Sequence, residues 1–153
     1  MQTVKCNITE VTTGIIVHSV NCMGVMGSGV AAALRYKWPQ IFNNYKQMCT
    51  VHEHSRGRLL GQVDFVDVGE NLVVANVFGQ EYFGRDGKTY ANPISLLQGL
   101  TTVFLFAEQH NLPIHSVKLG SGLGGLNWYH DVRPLFDQLE SKHPLIPLTI
   151  YEL

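Results

Sequence analysis

Charged residues are scarce in this sequence, and positive charge is not concentrated anywhere along it. Only 15% of the residues are charged, and the formal net charge is −1. Proteins that follow a nucleic-acid backbone carry clustered lysine and arginine, because counterion release from the phosphates drives their binding. We therefore expect no charge-based binding of nucleic acid. An anionic ligand would have to be held largely by main-chain N–H groups.

Long apolar runs, paired cysteines and metal-ligand spacings are missing as well. No apolar run approaches the roughly 20 residues that span a bilayer, and residues 1–5 lack the order of a signal peptide. The three cysteines have no CxxC spacing and cannot complete a disulfide framework, so we expect free thiols. The seven histidines show no metal-ligand spacing. These absences predict a cytoplasmic protein without membrane, metal or cofactor, and the lack of an exposed apolar stripe predicts a monomer.

The residues that are present suit a single α/β domain. At 153 residues and 45% hydrophobic content, the chain can bury one core. The hydrophobic pattern predicts strands over 4–8, 14–20, 62–68, 72–78, 114–119 and 148–151. Helices are expected after the caps Ser28, Asn92 and Asp131, and from Pro39. Strands that alternate with helices indicate a mixed sheet between helical layers, in one domain over 1–153.

Two glycine-rich loops, 21–29 and 120–126, each follow a predicted strand and precede a helix. Glycine lets successive N–H groups point into one concavity, and a helix N-terminus adds positive potential. One such loop is more often a structural turn. Two of them, at strand ends where α/β sheets bind ligands, favour a ligand with two phosphates or with a phosphate and a ribose.

The sequences around these loops resemble macrodomains. Residues 14–34, with their histidine, asparagine and glycines, and the motif LGSGLGGLNW at 119–128 resemble the branch that contains the yeast and viral ADP-ribose 1″-phosphate phosphatases. The second motif also resembles enzymes that remove ADP-ribose from glutamate, and the resemblance covers essentially the whole chain. It implies a three-layer α/β/α macrodomain with a central mixed sheet. Its ligand would be ADP-ribose or ADP-ribose 1″-phosphate.

The resemblance also implies which residues contact the ligand. Asn7 and Ile8 would contact the adenine, and Tyr151 and Leu153 would cover it, although a terminal tyrosine often simply packs. Gln80, from the loop that follows the fourth predicted strand, is a further candidate for the ribose. The distal ribose and the phosphates would be surrounded by Gly24, Met26, Gly27, Ser28, Gly29, Val30, Gly120, Ser121, Gly122, Leu123, Gly124, Gly125 and Leu126.

His18 and Asn21 are the predicted catalytic residues. His18 ends a buried strand three residues before Asn21, which would hydrogen-bond the distal ribose, and the phosphatase branch has a matching histidine. His18 would activate water or accept a proton while phosphate leaves. The alternative is a hydrogen-bonded core histidine.

A catalytic acid is harder to place. The glutamate-directed hydrolases use a lysine and an aspartate, where this chain has Gly79 and Gly124 or Gly125, so their covalent mechanism is not expected. Glu81 or Asp86 could supply a carboxylate, although charges in such loops are usually solvated. The sequence thus predicts hydrolysis of ADP-ribose 1″-phosphate to ADP-ribose and phosphate. Removal of ADP-ribose from protein or nucleic acid, or non-catalytic binding of ADP-ribose, remain the alternatives.

Overall fold

The computed structural model of the chain describes residues 1–152, which form a six-stranded sheet and four α-helices. The strands are β1 (Gln2–Lys5), β2 (Gly14–Asn21), β3 (Val63–Gly69), β4 (Leu72–Gln80), β5 (Ile114–Val117) and β6 (Leu148–Glu152). The α-helices are α1 (Gly29–Lys37), α2 (Asn43–Val51), α3 (Pro93–His110) and α4 (Arg133–Lys142). Short 3₁₀ turns cover Ile8–Glu10, Pro39–Phe42 and Arg56–Leu59, and a π-helical turn covers Trp128–Val132.

The sheet is mixed, with the strand order β1-β6-β5-β2-β4-β3. Every neighbouring pair is parallel except the β3–β4 hairpin at one edge. Strand β2 lies between β4 and β5, so the carboxyl ends of these three parallel strands meet at one edge of the sheet. The predicted mixed sheet is confirmed.

Helices cover both faces of this sheet because the central strands are apolar on both sides. Ile16 and Val20 of β2 pack in one cluster with Leu34 of α1 and Tyr45 of α2. The alternate β2 residues pack in a second cluster with residues of α3 and α4, namely Ile15, Val17, Leu96, Leu100, Phe136 and Leu139. The three-layer α/β/α arrangement is therefore confirmed.

The structure differs from the sequence prediction at two element starts. Asn7 does not lie in the first strand, because its Oδ1 accepts hydrogen bonds from the N–H and hydroxyl of Thr9 and starts a 3₁₀ turn. Asp131 does not cap the last helix. The cap of this segment is Asn127, whose Oδ1 accepts from the N–H of His130, and α4 begins two residues after Asp131.

Two further observations bear on the expectations from composition. Within residues 1–152, no helix is both long enough and apolar enough to cross a membrane. All three cysteines are free thiols, with Cys22 and Cys49 buried and Cys6 exposed.

Candidate functional site

A pocket of about 690 Å³ opens at the edge of the sheet where β2, β4 and β5 end. Both glycine-rich loops contribute to its walls, so the tertiary structure brings together segments that are about a hundred residues apart in the chain. The pocket is lined by residues 18–21, 25–31, 80, 83–85, 117–120 and 122–124. Its size is within the range of sites for nucleotide-sized ligands.

The first loop is held in place from below by helix α2. The Asn21 side chain, after the bulge at the end of β2, donates from Nδ2 to the Val25 carbonyl and accepts at Oδ1 from the N–H of Met23. The hydroxyl of Tyr45 lies 2.8 Å from that Oδ1 and accepts from the N–H of Val25. These bonds shape the loop. They use one of the two amide hydrogens of Asn21, so one hydrogen remains for a ligand.

The second loop is compact because glycine is required where its backbone folds back on itself. A Cβ at Gly124 would lie 2.6 Å from the carbonyl oxygen of Gly120, a distance that side chains do not tolerate. Gly120 has a φ of +68°, in the left-handed region that favours glycine. The loop closes through the N–H of Leu126, which donates to the Gly120 carbonyl at 2.9 Å. Between these two points, Gly122, Leu123 and Gly124 line the pocket.

Main-chain N–H groups are the principal polar groups that these loops offer to the pocket. In the described part of the chain, no hydrogen bond is made by the N–H groups of Gly27, Ser28, Gly29, Gly122, Leu123 or Gly124, all of which line the pocket. The first-turn N–H groups of α1, at Val30 and Ala31, also lack intrahelical acceptors. Such groups, together with a helix N-terminus, form a site that is suited to anions.

His18 lies beneath this pocket and is 1% exposed. Its Nε2 lies 2.5 Å from Oδ1 of Asn76, and its Nδ1 is buried with no hydrogen-bond partner among residues 1–152. Burial lowers the pKa of His18 from 6.5 to about 4, although the hydrogen bond with Asn76 opposes this shift. Burial therefore favours the neutral imidazole of His18 at neutral pH.

Two cationic side chains add to the positive character of the pocket. Lys118 lines it directly after β5, with Nζ 2.6 Å from a carboxylate oxygen of Glu152. Arg85 lines it from the loop between β4 and α3 and is exposed. Either cation can attract a phosphate group, and Lys118 is held in place by its ion pair.

Comparisons with known proteins agree with this geometry. No protein-family model matches the chain. A DNA ADP-ribosyl glycohydrolase of Mycobacterium tuberculosis is 25% identical over 150 residues, which cover 95% of this chain and 40% of that protein. The chain thus spans less than half the length of this relative. An ADP-ribose 1″-phosphate phosphatase of Debaryomyces hansenii is 23% identical over 137 residues, which cover 74% of this chain and 76% of that protein.

A solved structure identifies the fold. The macrodomain protein of Streptomyces coelicolor superimposes with a TM-score of 0.81 at 26% identity, over 99% of this chain and 98% of that one. This chain has the macrodomain fold. The macrodomain fold places the ends of β2, β4 and β5 together, which is why two distant glycine loops share one pocket.

Most of the predicted site residues line the pocket. They are His18, Asn21, Met26, Gly27, Ser28, Gly29, Val30, Gln80, Gly120, Gly122, Leu123 and Gly124. Met26 is buried, whereas Gly27, Gly29 and Leu123 are exposed at the pocket surface. The structure therefore brings the two predicted halves of the site together.

Four other predicted residues belong to the loops but are not among the residues that line the pocket. Gly24 faces the Lys46 side chain, and Ser121 donates from Oγ to the Leu119 carbonyl. The N–H of Gly125 donates to the Gly122 carbonyl, and the N–H of Leu126 donates to the Gly120 carbonyl. These residues shape the loops. Their predicted contact with a ligand stays a prediction.

The predicted adenine-binding residues are not among the residues that line the pocket. Asn7 uses both acceptor positions of its Oδ1 within its own turn, so a hydrogen bond from this atom to adenine would have to replace one of them. Ile8 is buried, and the Tyr151 hydroxyl lies 2.8 Å from Nδ1 of His115. Leu153 lies outside the described residues. The adenine contact stays a prediction.

Several residues of the site were not expected from the sequence. Lys118, Arg85 and Phe83 line the pocket, and Tyr45 and Asn76 support it from below. Lys118 lies two residues before the second glycine-rich loop, and this position could have indicated that it lines the site. Tyr45 and Asn76 carry no such signal, because their partners are 24 and 58 residues away.

The two candidate carboxylates are not in the pocket lining. Asp86 accepts hydrogen bonds from the Tyr90 hydroxyl and the N–H of Lys88, and the first of these lowers its pKa. It is thus a residue that stabilises the turn in which it lies. Glu81 contributes its main-chain carbonyl to the N–H of Cys22.

Proposed function

We propose that this macrodomain binds ADP-ribose and related nucleotides in the pocket and hydrolyses ADP-ribose 1″-phosphate. The observation that carries this proposal is the convergence of two sets of unpaired main-chain N–H groups on one pocket above a neutral, buried histidine. A diphosphate fits two such loops because each can donate several hydrogen bonds without a net protein charge. The Debaryomyces hansenii relative, which is named an ADP-ribose 1″-phosphate phosphatase, supports the same reaction.

His18 would take part in the reaction through Nδ1. Hydrolysis adds one water: a bond forms from the water oxygen to phosphorus while the bond from phosphorus to the 1″-oxygen breaks. His18, neutral at neutral pH, would accept the water proton at Nδ1 and return a proton to the departing 1″-oxygen. The N–H groups of the first loop and of the α1 N-terminus would stabilise the negative charge on the phosphate.

The decisive experiment is a panel assay with calorimetry. ADP-ribose 1″-phosphate, an ADP-ribosyl-glutamate peptide and ADP-ribosylated DNA would be tested for turnover, and free ADP-ribose for binding. We expect phosphate release, and we expect His18→Ala to lower kcat by about a hundredfold while ADP-ribose binding persists. His54→Ala, which alters a histidine with a 94% exposed side chain, is the matched control. Unchanged turnover of His18→Ala would remove His18 from the mechanism.

A second candidate function is removal of ADP-ribose from a macromolecule. The pocket mouth exposes apolar side chains from three loops, at Val25, Phe83 and Leu123, which could contact a group attached to the distal ribose. The Mycobacterium tuberculosis relative, named a DNA ADP-ribosyl glycohydrolase, matches almost the whole chain. Turnover of a conjugate without phosphate release would favour this function, and ADP-ribose binding without any turnover would leave a non-catalytic reader.

A further inference from the structure

A chain of buried polar side chains connects the surface of helix α2 to His18 beneath the pocket. Asn44 of α2 donates from Nδ2 to Oδ1 of Asp64 in β3 at 2.8 Å. The other oxygen of Asp64 accepts from Nδ2 of Asn76 in β4 at 3.2 Å. Asn76 in turn contacts His18 in β2. Asp64, Asn76 and His18 are 6%, 0% and 1% exposed, so water cannot readily substitute for any of these bonds.

The partners of Asn76 determine the orientation of its amide. Nδ2 lies 3.0 Å from the Ile41 carbonyl and 3.2 Å from the Asp64 carboxylate, and both of these partners can only accept. The flipped amide would place its oxygen against two other oxygens. Oδ1 of Asn76 must therefore be the atom that faces His18.

An acceptor at this position dictates where the imidazole proton lies. Nε2 of His18 must donate to Oδ1 of Asn76, so the neutral ring carries its proton on Nε2 and a lone pair on Nδ1. Nδ1 is one of two buried side-chain polar atoms in residues 1–152 that have no partner. A buried acceptor without a partner is unfavourable, and His18 is among the residues that line the pocket.

We propose that Asn76 is a positioning residue, which holds His18 in the Nε2–H tautomer and so leaves the lone pair on Nδ1, with Asp64 as the anchor of Asn76. This inference rests on the proposed function, because His18 must act at the ligand for its tautomer to matter. Neither Asn76 nor Asp64 lines the pocket, so their effect passes through His18.

The first test is nuclear magnetic resonance of protein labelled with ¹⁵N-histidine, in which the His18 signals are assigned by their loss in His18→Ala. We expect an unprotonated Nδ1 and a protonated Nε2, and ADP-ribose should shift the Nδ1 resonance more than the Nε2 resonance. In Asn76→Ala the two nitrogen shifts should move towards the average of the two tautomers. A protonated Nδ1 in the unsubstituted protein, or identical shifts in Asn76→Ala, would overturn the proposal.

The second test is a kinetic double-mutant cycle with ADP-ribose 1″-phosphate. We expect Asn76→Ala to lower kcat by about tenfold or more with little change in KM, and to have no further effect when His18→Ala is already present. Ser116→Ala, which removes another fully buried side-chain oxygen from the same sheet, is the control. Additive losses in the double variant would contradict a role through His18.

The two tests separate the two proposals. If the unsubstituted protein releases no phosphate, the proposed reaction fails, and the tautomer of His18 and its change in Asn76→Ala still decide the role of Asn76. If phosphate is released but Asn76→Ala retains full kcat, the reaction stands and the positioning role is wrong. The resonance measurement on the unsubstituted protein also remains decisive if Asn76→Ala does not fold.

Discussion

The hydroxyl of Tyr45, on helix α2, lies 2.8 Å from the side-chain oxygen of Asn21, at the end of strand β2. Through this contact and the bond from the N–H of Val25, one buried tyrosine fixes the start of the first glycine-rich loop. The first glycine-rich loop is therefore attached to the core on the side of the sheet that α1 and α2 cover. The order of this loop thus depends on the packing of that part of the core.

Tyr45→Phe should weaken both stability and ligand binding. The substitution keeps the buried ring but leaves the N–H of Val25 and the oxygens of Asn21 without this partner, at a cost of about 1–3 kcal/mol in the free energy of unfolding. Urea unfolding and ADP-ribose calorimetry would measure the two effects. Tyr36→Phe, at a 91% exposed position, is the matched control and should change neither. A Tyr45→Phe protein with unaltered affinity would show that the loop is held by other contacts.

His18 should make the free energy of unfolding depend on pH in the acidic range. Replacing it with a side chain that does not titrate should remove this contribution. Its pKa is about 4 in the folded protein, against 6.5 for an ordinary histidine, so the unfolded chain binds the proton first as the pH falls. As the pH falls from 6.5 to 4, the titration of His18 should thus lower the free energy of unfolding by at most about 3 kcal/mol. Above pH 6.5 this titration should make no contribution to the pH dependence.

The comparison of unsubstituted protein with His18→Gln isolates this contribution. Both proteins share their carboxylates, including the nearby Asp64, and their other histidines, so those contributions cancel. Urea unfolding at pH 7 and pH 4.5 should show a smaller loss of stability for His18→Gln. An equal loss in the two proteins would mean that His18 titrates normally in the folded state.

Gly124→Ala should destabilise the second loop. The added Cβ would lie 2.6 Å from the Gly120 carbonyl oxygen and 2.9 Å from its Cα, and these backbone atoms can move only if the loop opens. We expect a loss of about 1–3 kcal/mol in the free energy of unfolding, as for overpacked sites, together with weaker ADP-ribose binding.

Gly122→Ala in the same loop is the control for Gly124→Ala. No atom lies within 4 Å of a Cβ at Gly122, and its φ is not in the left-handed range, so stability should be retained. Thermal unfolding of the two variants in parallel tests the claim. Equal melting temperatures would show that the close contact at Gly124 does not constrain the loop.

Lys118→Met should lower the affinity for ADP-ribose and the dependence of that affinity on salt. Lys118 lines the pocket and is held there by its ion pair with Glu152. Its charge interaction with a phosphate should contribute about 1 kcal/mol or less to binding, which corresponds to a several-fold change in Kd. Calorimetry at low and high salt would measure both quantities. Lys142→Met, which removes an exposed lysine of α4, should leave Kd unchanged. An unaltered Kd for Lys118→Met would place this cation outside the ligand contacts.

Local sequence signals were sufficient for the elements that lead to the site. The apolar run of β2, the glycines of both loops and the Asn92 cap of α3 all depend on neighbours within a few residues, and the structure has each of them. The failures at Asn7 and Asp131 have the same local origin. In both cases a side chain that was assigned to a strand or a cap bonds instead within an adjacent turn.

The amino-acid sequence alone determined the α/β class, the two glycine-rich loops and the histidine in the strand before the first of them, because periodicity, glycine and strand-end position are properties of short segments. Only the tertiary structure decided that both loops line one pocket, that Lys118 lines it too, and that Asn76 lies against His18. These relationships join residues from different strands and helices. They arise when the sheet order β5-β2-β4 and the packing of α2 bring distant side chains within hydrogen-bonding distance, and no pattern within one segment specifies those contacts.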